Sequence, residues 1–116
     1  MTLPRLISVA AACGLLAAAG LSHAADAGDP AAGKSKNAMC IGCHGIPYYH
    51  TAFPDVYHVP KIGGQHAAYI VKALQEYKSG NRSHPSMRAI AASLSDKDMA
   101  DLAACYASDA MKSAAK

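Results

Sequence analysis

The stretch DPAAGKSKNAMCIGCHG, residues 29–45, decides how the rest of the chain must be arranged. Asp29-Pro30 is a helix start, with Asp as N-cap and Pro at the first helical position, where its missing N–H leaves no bond unmade. The spacing predicts a short helix through Ala31 to about Met39, which delivers the chain to Cys40. There Cys40-Ile41-Gly42-Cys43-His44 presents two thiols and an imidazole in immediate succession.

Cys-x-x-Cys-His is the pattern of covalent c-type haem attachment. Two thiols at this spacing on the end of one short helix can each add to one vinyl group, and the following His is then held under the iron as proximal ligand. Two other chemistries use a Cys-x-x-Cys pair. A thioredoxin-like redox couple wants a βαβ setting, and a zinc site wants a second Cys/His pair at short spacing. The sequence offers neither.

Downstream, IPYYHTAFPDVYHVPKIGG (residues 46–64) is punctuated by Pro47, Pro54, Pro60 and Gly63-Gly64, and reads as a loop rich in Tyr and His. From Gln65 to Ser79 the apolar residues Ala67, Ile70, Leu74 and Tyr77 share a helical face, and Gly80 stands at the stop. A polar turn over 81–86 precedes a short helix, capped by Ser86 or a neighbour, that runs through Leu94. Ser95 with Asp98 resembles a capping box. The last helix then carries Met99, Leu102, Ala103 and Tyr106 on one face. Without an alternating strand or an internal repeat, the chain is predicted to be all-α.

The beginning of the 116-residue chain has a different character. Arg5 is followed by a charge-free run of Leu, Ile, Val, Ala and Gly, ending in Ser22-His23-Ala24, the layout of a cleaved signal peptide. The expected organisation is therefore a signal peptide over 1–24 and a single-haem domain over 25–116, exported to the periplasm. Cys13 would leave with the leader. That domain keeps Cys40, Cys43 and Cys105, an odd number that cannot pair off. With no Trp in the chain and a single Phe, its side chains alone make a thin core, which a large cofactor would fill. Ten Lys and Arg against eight Asp and Glu in this part give too weak a balance for nucleic acid.

GDPAAGKSKNAMCIGCHG, PKIGGQHAAYIVKALQEYKSG and MRAIAASLSDKDMADLAACYAS together resemble the bacterial class I c-type cytochromes, in particular the single-haem c4/c5/c553-like branch. The resemblance implies a small class I cytochrome c fold, with helices wrapped around one covalently bound haem c held by Cys40 and Cys43. It implies His44 and Met87 as iron ligands, and the Pro60 carbonyl as acceptor for the His44 Nδ1–H, with Pro47 as runner-up. Arg82, Tyr77 and the Gln65 amide are its candidates for the haem propionates. Against Met87 stand Met39 at the helix end, Met99 on an apolar stripe, Met111 in the polar tail, and the imidazoles of His50, His58, His66 and His84.

The implied activity is single-electron transfer between protein redox partners outside the cytoplasm, without catalysis. The alternatives are a dedicated subunit of a larger periplasmic or membrane-bound dehydrogenase or oxidase complex, and a haem sensor or peroxidase. Cys105 departs from the family, which often carries Tyr or Phe there. It reads as a small buried hydrophobe or, in the sharper alternative, as an intermolecular disulfide.

Overall fold

The computed structural model describes residues 27–52 and 56–108. The leader read over 1–24, Cys13, Pro54 and Met111 lie outside the described residues. Asp29 starts helix α1 (Pro30–Lys36) as read, its carboxylate accepting from Ala31 N at 2.9 Å. The expected single helix to Met39 breaks at Asn37, which ends α1 and begins α2 (Ala38–His44). Cys40 N and Ile41 N both donate to Asn37 O, at 2.8 and 2.9 Å. Asn is a poor helix-interior residue because its amide competes with the backbone. Cys40 therefore sits inside a second helix, and the attachment motif forms that helix's last residues.

The aromatic loop contains a small element that the sequence did not announce. Strands β1 (His50–Thr51) and β2 (Tyr57–His58) pair antiparallel, His50 opposite His58 and Thr51 opposite Tyr57. Helix α3 (Ala67–Ser79) begins after His66 rather than at Gln65, and ends at Gly80 in the left-handed region with φ 87°. Glycine adopts that conformation without steric cost. Helix α4 (Pro85–Ala92) is capped by His84, not by Ser86, and has Pro85 in its first turn. An imidazole nitrogen there accepts from Met87 N at 3.4 Å. Helix α5 (Asp96–Ala107) opens with the capping box as read: Asp98 N donates to Ser95 Oγ at 3.1 Å, and Ser95 N to Asp98 Oδ2 at 3.0 Å.

Helix α1 lies across α5 at backbone contact. A Cβ added to Gly33 would stand 2.1 Å from Asp101 O and 2.7 Å from Cys105 Cβ, so only hydrogen fits between the helices. Cys105 is 3 % exposed and packed at this crossing, which makes it the small buried side chain and hides its thiol from other molecules. The Asp101 carboxylate is also buried there. It accepts from Lys36 Nζ at 2.8 Å, from Asp29 N at 2.8 Å and from Lys97. These bonds tie the start of α1 to the middle of α5.

Met99, Leu102, Ala103 and Tyr106 of α5 form the core with Ile70 and Leu74 of α3, Ala91 of α4 and Leu94. Burying one such side chain contributes about 1.5–3 kcal/mol. Cys40, Ile62, Val71 and Met87 pack against this cluster only partly buried. One side of the core is thus left open, and the attachment motif faces that opening. The class is all-α, five helices with one two-stranded ribbon among the described residues.

Candidate haem site

The opening is a cavity of about 500 Å³, within the range of about 300–1,000 Å³ common for sites that enclose a small molecule. Cys40, Cys43 and His44 line it from α2, Met87 from α4, and Tyr106 from α5. Ile62, Ile70, Leu74 and Leu102 give it apolar walls, while Tyr57, Tyr69, Tyr77 and Arg82 supply its polar groups.

His44 Nδ1 lies 2.6 Å from Pro60 O. Donation to that carbonyl fixes the tautomer and turns Nε2 into the free ring nitrogen, as a metal-binding imidazole requires. Pro60 reaches this place because the chain from Val59 is pinned to the ribbon, Val59 N donating to Tyr49 O at 2.9 Å. Arg82 is held beside the cavity by an ion pair with Glu76 Oε2 at 3.2 Å and a bond to Tyr69 Oη at 3.2 Å. Its guanidinium also sits over the rings of Tyr69 and Tyr77, 5.6 and 5.5 Å from their centroids. The Tyr69 hydroxyl bond raises its pKa further, so the charge is permanent. The Gln65 side chain borders the cavity, its Oε1 accepting from His66 N at 2.8 Å.

Of the rival ligands, Met39, His58 and His84 also border this cavity, whereas Met99, His50 and His66 are not among its lining residues. Met99 is fully buried in the core, and Met39 is half exposed. His50 and His58 pair with each other on the ribbon. His84 uses Nδ1 to accept from Met87 N at 3.4 Å, and its ring packs on Tyr57, so this imidazole is engaged in the fold. Sequence reasoning weighed His84 only as a ligand and missed its role as the cap. The signal was its position immediately before Pro85.

The cavity's chemistry fits a covalently held haem in two respects. Burial pushes the Cys40 thiol pKa up. A catalytic Cys-x-x-Cys couple needs the opposite shift. The Tyr106 hydroxyl is buried at the cavity wall beside the Cys40 thiol, with no oxygen or nitrogen partner among the described residues, and burial raises its pKa. Such a group marks a place where a polar ligand atom belongs.

No family model matches the chain. Among curated proteins it is 42% identical over 92 residues to cytochrome c4 of Pseudomonas aeruginosa, an alignment covering 79% of this chain and 43% of that protein. It is 40% identical over 65 residues to the thiosulfate dehydrogenase electron acceptor of Stutzerimonas stutzeri, covering 56% of this chain and 29% of that protein. The chain spans less than half the length of these two relatives. Cytochrome c-554(548) of Halomonas halodenitrificans is 39% identical over 85 residues, which cover 71% of this chain and 98% of that protein. A helical fold that presents Cys40, Cys43 and His44 to one cavity, matched to a whole cytochrome of this size, makes the chain a member of the bacterial class I c-type cytochromes.

Proposed function

We propose that residues 25–116 form a periplasmic single-electron carrier with one covalently bound haem c, exported after removal of residues 1–24. Its partners are protein redox donors and acceptors, and it performs no catalysis of its own. The observation that carries this reading is the convergence of Cys40, Cys43, His44 and Met87 on one cavity, from helices α2 and α4. A single Cys-x-x-Cys-His motif in the sequence corresponds to a single haem.

In this reading Cys40 and Cys43 would hold the group covalently, and His44 and Met87 would be its iron ligands. Bound there, haem supplies a one-electron iron couple whose potential Met ligation raises. With His44 and Met87 both as ligands, the iron would keep no open position for a substrate. Pro60 O orients His44, Arg82 provides a fixed positive charge near the cavity, and the apolar walls keep water from the ring. Membership in a larger oxidoreductase complex is the second reading. It is favoured by the relative whose name is thiosulfate dehydrogenase electron acceptor, although the alignment covers only 29% of that protein.

The test is the intact mass of the denatured exported protein, together with the spectrum of the reduced protein under carbon monoxide. The expected result is a chain beginning near Ala25, one haem heavier than the polypeptide, with no carbon monoxide adduct. A bare polypeptide mass would remove the central claim, and a ready adduct would point to a sensor or peroxidase. Stable co-purification with another oxidoreductase chain would favour the second reading.

A further inference from the structure

The ribbon at the mouth of the cavity holds two histidines, His50 and His58, of which His58 also borders the cavity. His50 and His58 are direct cross-strand partners. The neighbouring pair, Tyr49 and Val59, carries a ladder hydrogen bond, with Val59 N donating to Tyr49 O at 2.9 Å. In an antiparallel ladder bonded and non-bonded pairs alternate, so His50 and His58 form a non-hydrogen-bonded pair, the kind whose side chains approach most closely. Side chains alternate between the faces of a strand. As cross-strand partners, His50 and His58 share one face of the ribbon. Both are exposed.

Their ring centroids are 4.8 Å apart, with the planes tilted by 49°. An imidazole nitrogen binds a first-row divalent ion at about 2.0–2.1 Å. With one nitrogen from each ring at that distance, centroids this far apart subtend roughly 95–100° at the ion, between the square and the tetrahedral angle. The pair therefore already has the spacing of two adjacent ligands of one metal. We propose that His50 and His58 form a surface chelate for a divalent transition metal, separate from the haem iron.

The ligand set identifies the metal class. Two neutral imidazoles, with water completing the shell, suit Cu(II), Ni(II) and Zn(II), and the general order of stability puts Cu(II) first. Oxygen-seeking Mg(II) and Ca(II) find no carboxylate there among the described residues. The site clamps β1 to β2 across the stem of the ribbon.

The proposal is tested on the holoprotein, titrated with Cu(II) and in parallel with Zn(II) and Mg(II). Binding is followed calorimetrically, and the Cu(II) form by electron paramagnetic resonance. One Cu(II) per chain is expected with two imidazole nitrogens in its hyperfine pattern, together with weaker Zn(II) binding and none of Mg(II). His50→Ala and His58→Ala should each weaken Cu(II) by about 100-fold, because each removes the chelate. The double variant should be little weaker than either single one. His66→Ala should bind as the parent does, and the haem absorption spectrum of His50→Ala should match the parent's. Cu(II) affinity retained in either single variant, or losses that simply add in the double variant, would mean independent surface histidines and overturn the proposal.

Discussion

His84 Nδ1 accepts from the backbone N–H of Met87 at 3.4 Å, so one imidazole sets where helix α4 begins and how the proposed iron ligand is presented. His84 is itself pressed on one side by Tyr57. The cap satisfies an N–H that has no partner within the helix. Replacing it by an apolar residue should cost about 0.5–2 kcal/mol. His84→Leu should lower the thermal midpoint of the holoprotein and weaken the sulfur–iron charge-transfer band. His84→Asn, which can cap, should recover most of both. An unchanged band and midpoint in His84→Leu would show that the cap does not position Met87.

Met87 and Met99 should respond in opposite ways. Met87 lines the cavity, whereas Met99 is fully buried in the core. Met87→Ala should abolish the sulfur–iron band, admit carbon monoxide and lower the reduction potential. Met99→Leu should keep all three and cost less than about 1.5 kcal/mol, as a swap of nearly equal volume. Redox titration and denaturant unfolding of both variants check this. A persistent band in Met87→Ala would assign the ligand elsewhere.

Gly33→Ala forces a methyl group against the backbone of α5, where a Cβ would stand 2.1 Å from Asp101 O. Backbone atoms cannot swing aside as a side-chain end can, so α1 must move off α5. Overpacking of this kind costs about 1–3 kcal/mol. Equilibrium unfolding in urea should show a lower midpoint. A midpoint equal to the parent's would mean that the two helices separate freely.

The same crossing should make the fold sensitive to acid. The Lys36 ammonium, hydrogen-bonded to both Asp98 and Asp101, holds their carboxyls below the usual range, with Ser95 helping the first and Lys97 the second. A depressed folded-state pKa contributes stability that is present above the unfolded value, near ~3.9. That contribution is lost as pH falls through the folded value. Stability should therefore decline from about pH 4 downward. Lys36→Met should be less stable than the parent at neutral pH, and should lose less on acidification. Unfolding curves between neutral pH and strong acid measure both slopes. Equal slopes would show that Lys36 does not set these carboxyls.

What the sequence determined by itself was the set of features written in short spacings. The Cys40-to-His44 motif, the Asp29-Pro30 start, the Ser95–Asp98 box and the Gly80 stop are decided within a few residues, and all appear where they were read. The buried faces of α3 and α5 followed from helical periodicity. Local signals also misled where two residues competed for one role. Asn37 broke a helix expected to continue, and the cap read as Ser86 or a neighbour fell to His84.

Only the tertiary structure decided the relations between distant parts. Asp29 N meets Asp101 across 72 positions, and Gly33 meets Cys105 because α1 crosses α5 at backbone contact. Resemblance alone set the Pro60 carbonyl ahead of Pro47, and the pinned chain after the ribbon puts Pro60 O against His44. The pairing of His50 with His58 depends on strand register across a Pro-containing loop. No local spacing encodes these contacts, since each depends on where packing of the whole core brings two separately folded segments together.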